Sequence, residues 1–210
     1  MTKNDYFTYL NQFNIIDEKI LSLKQYASLN NVPIIQDEGI VFLQHLLRLT
    51  KSFKILEIGS AIGFSAINMA LVDPNIKITT IERDEIMIGQ AKKNIQDFNL
   101  GERITLIEGD ALEVDESILE ADYDFLFIDA AKGQYQKFFE KYTKLLKPQG
   151  VVVTDNLIFH DLVFEAQIKN RNLRQLVTKI RNYNEWLKQN PLFYTYFYPI
   201  GDGIAVSIKK

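Results

Sequence analysis

The sequence contains no cysteine and only two histidines, His45 and His160. The lack of cysteine excludes a disulfide framework, a thiolate zinc site and a cysteine nucleophile. Two histidines are too few for a histidine-based metal centre, so we expect a core or surface position for His45 and a loop position for His160. No apolar run reaches the roughly 18 residues that a membrane-spanning helix needs. We therefore expect a soluble, cytoplasmic protein.

The sequence also lacks an excess of positive charge: it has 24 Lys and Arg residues and 27 Asp and Glu residues, which gives a net charge of −3. This balance argues against a generally basic surface for nucleic acid, although it allows a local basic patch. One such stretch covers 160–181, where Lys169, Arg171, Arg174, Lys179 and Arg181 outnumber two acidic residues. It fits either a phosphate-binding face or an ordinary solvated helix.

Hydrophobic residues make up 47% of the 210 residues, a balance and a size typical of one globular domain spanning 1–210. Ile15, Ile16, Ile20 and Leu23 recur at helical spacing, as do apolar residues in 40–47, so 1–50 is predicted to be a helical N-terminal extension. Short apolar runs then alternate with helical stretches. The predicted strands are 54–59, 77–82, 103–108, 123–129, 150–155, 193–198 and 204–208, and the predicted helices are 63–72, 84–98, 134–146 and 170–189.

This alternation predicts an α/β fold with five parallel strands, covered by helices on both faces, and a C-terminal antiparallel hairpin. The layout resembles the Rossmann-like class I methyltransferases, with a mostly parallel seven-stranded sheet and N-terminal helices. It does not resemble a six-stranded parallel dinucleotide fold.

A glycine turn, Gly59 to Gly63, follows the first predicted strand, and Glu82 closes the second strand. Glycines let the backbone approach a ligand, and an acid at this distance binds the ribose of an adenosine cofactor. The alternatives are a simple tight turn and a solvated acid. After the third strand, Gly109 and Ala111 flank Asp110, which fits either the edge of an adenine or a helix cap.

Asp129 ends the fourth predicted strand, and Asp155 and Asn156 end the fifth. Because adjacent parallel strands lie about 5 Å apart, the three side chains can converge at one edge of the sheet. Three hard oxygen donors suit Mg²⁺, although two helix caps would also explain them. Lys132 lies three residues after Asp129, where it fits a general base or a surface lysine.

These motifs together resemble the cation-dependent O-methyltransferases, which include catechol and caffeoyl-coenzyme A methyltransferases and the bacterial tRNA 5-hydroxyuridine methyltransferases. The residues that carry the resemblance are 57–65, Glu82, 129–135, Asp155, Asn156 and 201–203. The resemblance implies S-adenosylmethionine as cofactor, a homodimer, and Mg²⁺ held by Asp129, Asp155 and Asn156. It implies Lys132 as the base, with Asp129 beside it in catalysis. The implied cofactor contacts are Ile34, Glu57, Gly59, Ser65, Glu82, Gly109, Ala111 and Asp129.

The substrate is the least determined feature. A catechol and a 5-hydroxyuridine both present two adjacent oxygens, so one metal site can serve either. Within this family, the chain most resembles the bacterial tRNA 5-hydroxyuridine methyltransferases, and this resemblance implies methylation of the tRNA wobble base, with phosphates of the anticodon arm on Arg171 and Arg174. Ala205 stands where catechol enzymes carry a substrate-binding acid, which argues against a free catechol. The alternative is a small catechol or caffeoyl-type diol. A nicotinamide oxidoreductase would not explain the metal residues or the hairpin, and a binding module would not need Lys132.

Overall fold

The computed structural model describes Tyr6, Tyr9 to Asn11 and residues 18–210. Its helices are α1 (Glu18–Leu29), α2 (Asp37–Thr50), α3 (Phe64–Ala70), α4 (Glu85–Asp97), α5 (Tyr135–Tyr142) and α6 (Arg171–Gln189). The predicted helices before residue 50 are found as α1 and α2, whereas Ile15 and Ile16 lie outside the described residues. Within the described residues, no helix combines the length and the apolar character needed to cross a membrane.

Seven strands form one sheet in the order β3-β2-β1-β4-β5-β7-β6. They are β1 (Lys54–Ile58), β2 (Lys77–Glu82), β3 (Ile104–Glu108), β4 (Tyr123–Ile128), β5 (Leu146–Thr154), β6 (Phe193–Tyr198) and β7 (Ile204–Lys209). Strands β1 to β5 pair in parallel, and β7 is antiparallel to both β5 and β6. The predicted fold class is therefore confirmed. The single-domain organisation stays a prediction.

Helices pack against both faces of the central strands, and successive side chains of a strand point to opposite faces, so both sets of side chains are buried. In β4, Phe125 and Phe127 pack into a core with α1 to α4, whereas Leu126 and Ile128 pack into a second core with α5 and α6. All four side chains are fully buried. This double burial explains why the parallel strands read as continuous apolar runs in the sequence.

The segment between β4 and β5 differs from the sequence prediction. Helix α5 ends at Tyr142 rather than 146, and a 3₁₀ turn follows it. Strand β5 begins at Leu146 rather than 150, with an irregularity in its pairing to β4. The Lys209 ammonium, from β7, donates to the carbonyl oxygens of Thr143 and Leu146 at 3.1 and 2.7 Å and so satisfies the end of the helical segment. This long-range contact has no local sequence signal.

Candidate active site

A cavity of about 440 Å³ lies at the carboxyl ends of the strands, beside the point between β1 and β4 where the strand order reverses. Ligands of open α/β sheets bind at this position. Nine of the eleven predicted site residues line the cavity: Ile34, Gly59, Ser65, Glu82, Gly109, Ala111, Asp129, Lys132 and Asn156. The other two, Glu57 and Asp155, are buried and do not line it.

The turn after β1 needs glycine at two positions. Gly59 has φ +90°, and a Cβ there would overlap the carbonyl oxygen of Asp129, so β1 and β4 could not approach each other as they do. Gly63 has φ +79° and is the N-cap residue of α3. The prediction that this turn brings backbone close to a ligand is consistent with its place in the cavity wall.

Glu82 at the end of β2 is fixed by three backbone donors. Its Oε2 accepts from the Ala61 N–H at 2.9 Å, and its Oε1 accepts from the N–H groups of Arg83 and Asp84 at 2.8 and 3.0 Å. The carboxylate therefore joins the glycine turn to the end of β2. A carboxylate has about four acceptor sites, so one remains for a ligand.

Glu57 lies in the interior and does not line the cavity, so its contact with the cofactor stays a prediction. Its side chain is fully buried, and its Oε2 accepts from the Thr80 hydroxyl at 2.6 Å. Burial raises the pKa of Glu57 to about 7, against the lowering effects of the nearby Ser65 and Thr80 hydroxyls. Among the described residues, its Oε1 has no hydrogen-bond partner. Ser65, whose hydroxyl lowers the pKa of Glu57, also lines the cavity.

Asp110 is occupied by structural contacts. Its Oδ1 accepts from the Leu112 N–H at 2.9 Å, and its Oδ2 pairs with Arg83 at 2.8 Å. Asp110 therefore caps a turn at 111–113 rather than a helix, and Gly109, Asp110 and Ala111 all line the cavity.

Asp129, Asp155 and Asn156 meet at one edge of the sheet, as predicted. Ile128 and Thr154 are register partners, so the residues that follow them are neighbours. The Asn156 amide nitrogen donates to Asp129 Oδ1 at 2.8 Å. In the part of the chain that the structure describes, no group of three or more His, Asp or Glu side chains could hold a metal ion.

The two carboxyl groups of this edge disfavour each other's ionisation. Burial is the main reason that the pKa of Asp155 rises to about 8, and the Asp129 charge raises it further. Burial also raises the pKa of Asp129, while the nearby Lys132 ammonium lowers it. A bound cation would stabilise both ionised forms.

Lys132 begins a 3₁₀ turn, Lys132–Gln134, that leads into α5. Its ammonium lies 5.5 Å from the ring centroid of Phe159, within cation–π range. Phe159 is a residue that sequence reasoning missed, because an aromatic side chain in a loop gives no signal of what it contacts. Asp202 was missed for a similar reason: only its place in a glycine turn was noted, yet its charge acts on both Asp129 and Asp155.

Three further predicted positions lie away from the cavity lining. His45 is exposed on α2, and the His160 side chain is exposed in the loop after β5. Ala205 is buried in the second core opposite Thr154 of β5, so its side chain is not part of the cavity wall.

The basic residues of 160–181 have separate roles. Arg181 donates to two backbone carbonyl groups in 163–165, at 2.9 and 2.7 Å, so it holds a loop. Arg174 makes a longer bond, 3.3 Å, to another carbonyl group. Lys179 extends over Gly133, where a Cβ would lie 3.5 Å from its Nζ. Lys179 is therefore next to the turn that carries the candidate base.

The glycine turn and the acid at the end of β2, together with the antiparallel hairpin of β6 and β7 beside five parallel strands, are the arrangement of a Rossmann-like methyltransferase. The chain belongs to the O-methyltransferase family, whose model matches residues 11–210. The predicted enzyme class, an S-adenosylmethionine-dependent O-methyltransferase, is thereby confirmed.

Named relatives agree with this class. The chain is 29% identical over 190 residues to a caffeoyl-CoA O-methyltransferase of Populus kitakamiensis, covering 87% of this chain and 80% of the relative. It is 30% identical over 178 residues to a catechol O-methyltransferase of Niastella koreensis, covering 80% and 79%.

Solved structures show the same architecture. A Staphylococcus aureus protein provisionally described as a caffeoyl-CoA O-methyltransferase superposes with a TM-score of 0.93 at 42% identity, covering 98% of both chains. An O-methyltransferase of Bacillus cereus in complex with SAH has a TM-score of 0.82 at 25% identity, covering 98% of this chain and 99% of the other.

Proposed function

We propose that this enzyme uses S-adenosylmethionine and Mg²⁺ to methylate 5-hydroxyuridine at the wobble position of tRNA, giving 5-methoxyuridine. The observation that carries the choice of substrate is the basic first half of α6, which reaches the active-site turn through Lys179. A second candidate, methylation of a catechol or caffeoyl-type diol, is favoured by the named relatives.

The cofactor would occupy the cavity beside the glycine turn. Glu82 would accept a hydrogen bond from a ribose hydroxyl, and Ala111 would border the adenine. Ser65 and the backbone around Gly59 and Ile34 would contact the methionine portion. This assignment is supported by the common lining of one cavity by all five residues.

Asp129, Asp155 and Asn156 would hold the Mg²⁺ ion. All three offer hard oxygen donors, and two of them are carboxyl groups whose pKa is raised by burial, which fits the binding of a divalent cation. The Asn156 amide, whose nitrogen now faces Asp129, would turn to present its oxygen. When bound, the cation supplies positive charge that lowers the pKa of a substrate hydroxyl and fixes two adjacent substrate oxygens.

Lys132 would act as the base. As the neutral amine, its Nζ would accept the proton of the substrate hydroxyl and become an ammonium, and the freed oxygen would then form a bond to the methyl carbon. The bond between carbon and sulfur breaks, the electron pair stays on sulfur, and S-adenosylhomocysteine leaves. Lys132 returns the proton to solvent. The walls of the cavity would align the oxygen with the methyl group, which lowers the entropic part of the barrier.

The phosphates of an anticodon arm would lie along α6. Arg171, the first residue of the helix, is exposed, and so is Lys179 two turns further on. Arg181 is excluded from this role because its guanidinium already binds backbone carbonyl groups. Phosphate contacts would position the RNA, while the two oxygens of an unstacked base would be read in the active site.

Mass spectrometry of tRNA nucleosides tests the substrate. A strain that lacks this gene should lose 5-methoxyuridine and accumulate 5-hydroxyuridine, and the purified enzyme should restore the methyl group on that tRNA. A parallel assay with catechol and caffeoyl-CoA completes the comparison. Efficient methylation of these phenols, with no activity on hydroxyuridine-containing tRNA, would replace the tRNA proposal by the second candidate.

A further inference from the structure

Asp202, in the turn between β6 and β7, is a buried carboxylate with only one of its oxygens engaged. Its Oδ1 accepts from the backbone N–H of His160 at 2.6 Å. Its Oδ2 has no hydrogen-bond partner among the described residues, and the side chain is 5% exposed. A buried polar group is costly unless it is hydrogen-bonded, so the bond from His160 to Oδ1 is what keeps this side chain in its buried position.

The carboxylate is one of three contacts that tie the hairpin turn to the segment after β5. The Asp202 carbonyl oxygen accepts from the Ile158 N–H at 2.9 Å, and the Gly203 carbonyl oxygen accepts from the Leu157 N–H at 3.0 Å. Gly203 has φ +84°, and a Cβ there would lie 3.0 Å from Ile158 Cγ2 and 3.2 Å from Ile158 N. The turn and the segment are therefore in close contact along their backbones.

The segment held in this way has a strained backbone. Phe159, His160 and Asp161 have φ values of 46°, 53° and 63°, and Asn156 at its start has φ 65°. The left-handed region is unfavourable for residues with a Cβ, so a run of three persists only when neighbouring contacts impose it. The hydrogen bond from His160 to the Asp202 carboxylate is at the centre of this run.

The same segment carries Phe159, whose ring lies 5.5 Å from Lys132 Nζ. A change in the backbone at 159–161 would therefore move the ring against which Lys132 is placed. The Asp202 carboxylate is thus linked to the candidate base through His160, the strained backbone and Phe159.

We propose that Asp202 is a positioning residue for methyl transfer, which holds segment 157–161 in the conformation that places Phe159 against Lys132. The inference rests on the proposed role of Lys132 as the base. It assigns the effect to the hydrogen bond at Oδ1, and it predicts that an uncharged acceptor at the same place is sufficient.

The first test compares Asp202→Ala with Asp202→Asn, because asparagine keeps an acceptor oxygen and removes the charge. Asp202→Ala should lower kcat by about tenfold to a hundredfold, as a small misplacement of catalytic groups does, with S-adenosylmethionine affinity within about threefold of wild type. Asp202→Asn should stay within about threefold in kcat. Equal losses in both variants would assign the effect to charge and overturn the proposal, as would normal activity of Asp202→Ala.

A double-mutant cycle separates positioning from a general loss of structure. Phe159→Ala removes the ring through which Asp202 is proposed to act, so Asp202→Ala should cost little more in kcat once Phe159 is absent. Additive losses would overturn the proposal.

Hydrogen exchange provides a readout that does not depend on the role of Lys132. The amides of 157–161 should exchange faster in Asp202→Ala and at the wild-type rate in Asp202→Asn; unchanged exchange in Asp202→Ala would overturn the proposal. If Lys132→Ala keeps full activity, the proposed base fails while this exchange result still reports on the contact itself.

If Asp202→Ala does not fold, Gly203→Ala tests the same contact with the carboxylate in place. Its Cβ should push Ile158 away, speed exchange in 157–161 and lower kcat. Unchanged exchange and kcat in Gly203→Ala would overturn the proposal.

Discussion

Replacing Glu82 by alanine should weaken S-adenosylmethionine binding by an amount that the structure limits. The carboxylate has about four acceptor sites, and backbone N–H groups occupy three of them. One site remains for a ribose hydroxyl, so the direct loss is one hydrogen bond to a charged group, about 1.5–3 kcal/mol. Since each 1.4 kcal/mol is a factor of ten, the dissociation constant should rise roughly tenfold to a hundredfold.

Glutamine should not restore binding. Whichever way its amide is turned, its NH₂ group faces backbone donors, either the Ala61 N–H or those of Arg83 and Asp84. We therefore expect Glu82→Gln to bind the cofactor more weakly than wild type and to unfold at a lower temperature.

Glu108 provides a matched control at the same edge of the sheet. It is the register partner of Glu82 on β3, it pairs with Lys92 at the surface, and it does not line the cavity. Titration calorimetry of wild type, Glu82→Ala and Glu108→Ala with S-adenosylmethionine makes the comparison. Equal affinity in wild type and Glu82→Ala, or an equal loss in both variants, would refute the ribose assignment.

Four further outcomes are expected. Lys132→Ala should lower kcat by about 10²–10⁴ with little change in cofactor affinity; a loss confined to KM would indicate substrate binding instead. Chelation by EDTA should abolish turnover, and added Mg²⁺ should restore it. Asp155→Ala should remain inactive with Mg²⁺ while still binding the cofactor in calorimetry. Full activity in EDTA would exclude a requirement for the cation. Arg171→Ala and Lys179→Ala should each weaken tRNA binding modestly and reduce by about one the slope of the logarithm of the binding constant against the logarithm of salt concentration. Lys188→Ala, at the far end of α6, serves as the control. Equal slopes in all three variants would exclude phosphate contacts. The pKa of Glu57 is raised from 4.5 to about 7, so the folded state holds its proton more tightly and the stability of the wild type falls as pH rises through this window. Urea denaturation should therefore show Glu57→Gln gaining on the order of 3 kcal/mol of stability relative to wild type between pH 4 and pH 8. A difference in stability that does not change with pH would refute the raised pKa.

Local patterns in the sequence were sufficient for the sheet and for nine residues of the cavity wall. Runs that are apolar on both faces mark buried parallel strands, and glycine or acid at their ends marks the edge where ligands bind. Gly59, Glu82 and Asp129 were therefore predicted at the positions where they are found. The start of β5 was missed because Leu146 to Gly150 contains proline, glycine and polar residues, and its pairing depends on contacts with β4 and β7.

The sequence by itself determined the order of strands and helices and the chemical character of each strand end, because these follow from hydrophobic periodicity and residue type along the chain. Only the tertiary structure decided which of these groups reach the cavity. Glu57 and Ser65 are eight residues apart and both are buried, yet Ser65 lines the cavity and Glu57 does not. Asp202 contacts His160 across 42 residues of chain. Such contacts depend on how distant segments pack, and no local pattern encodes that.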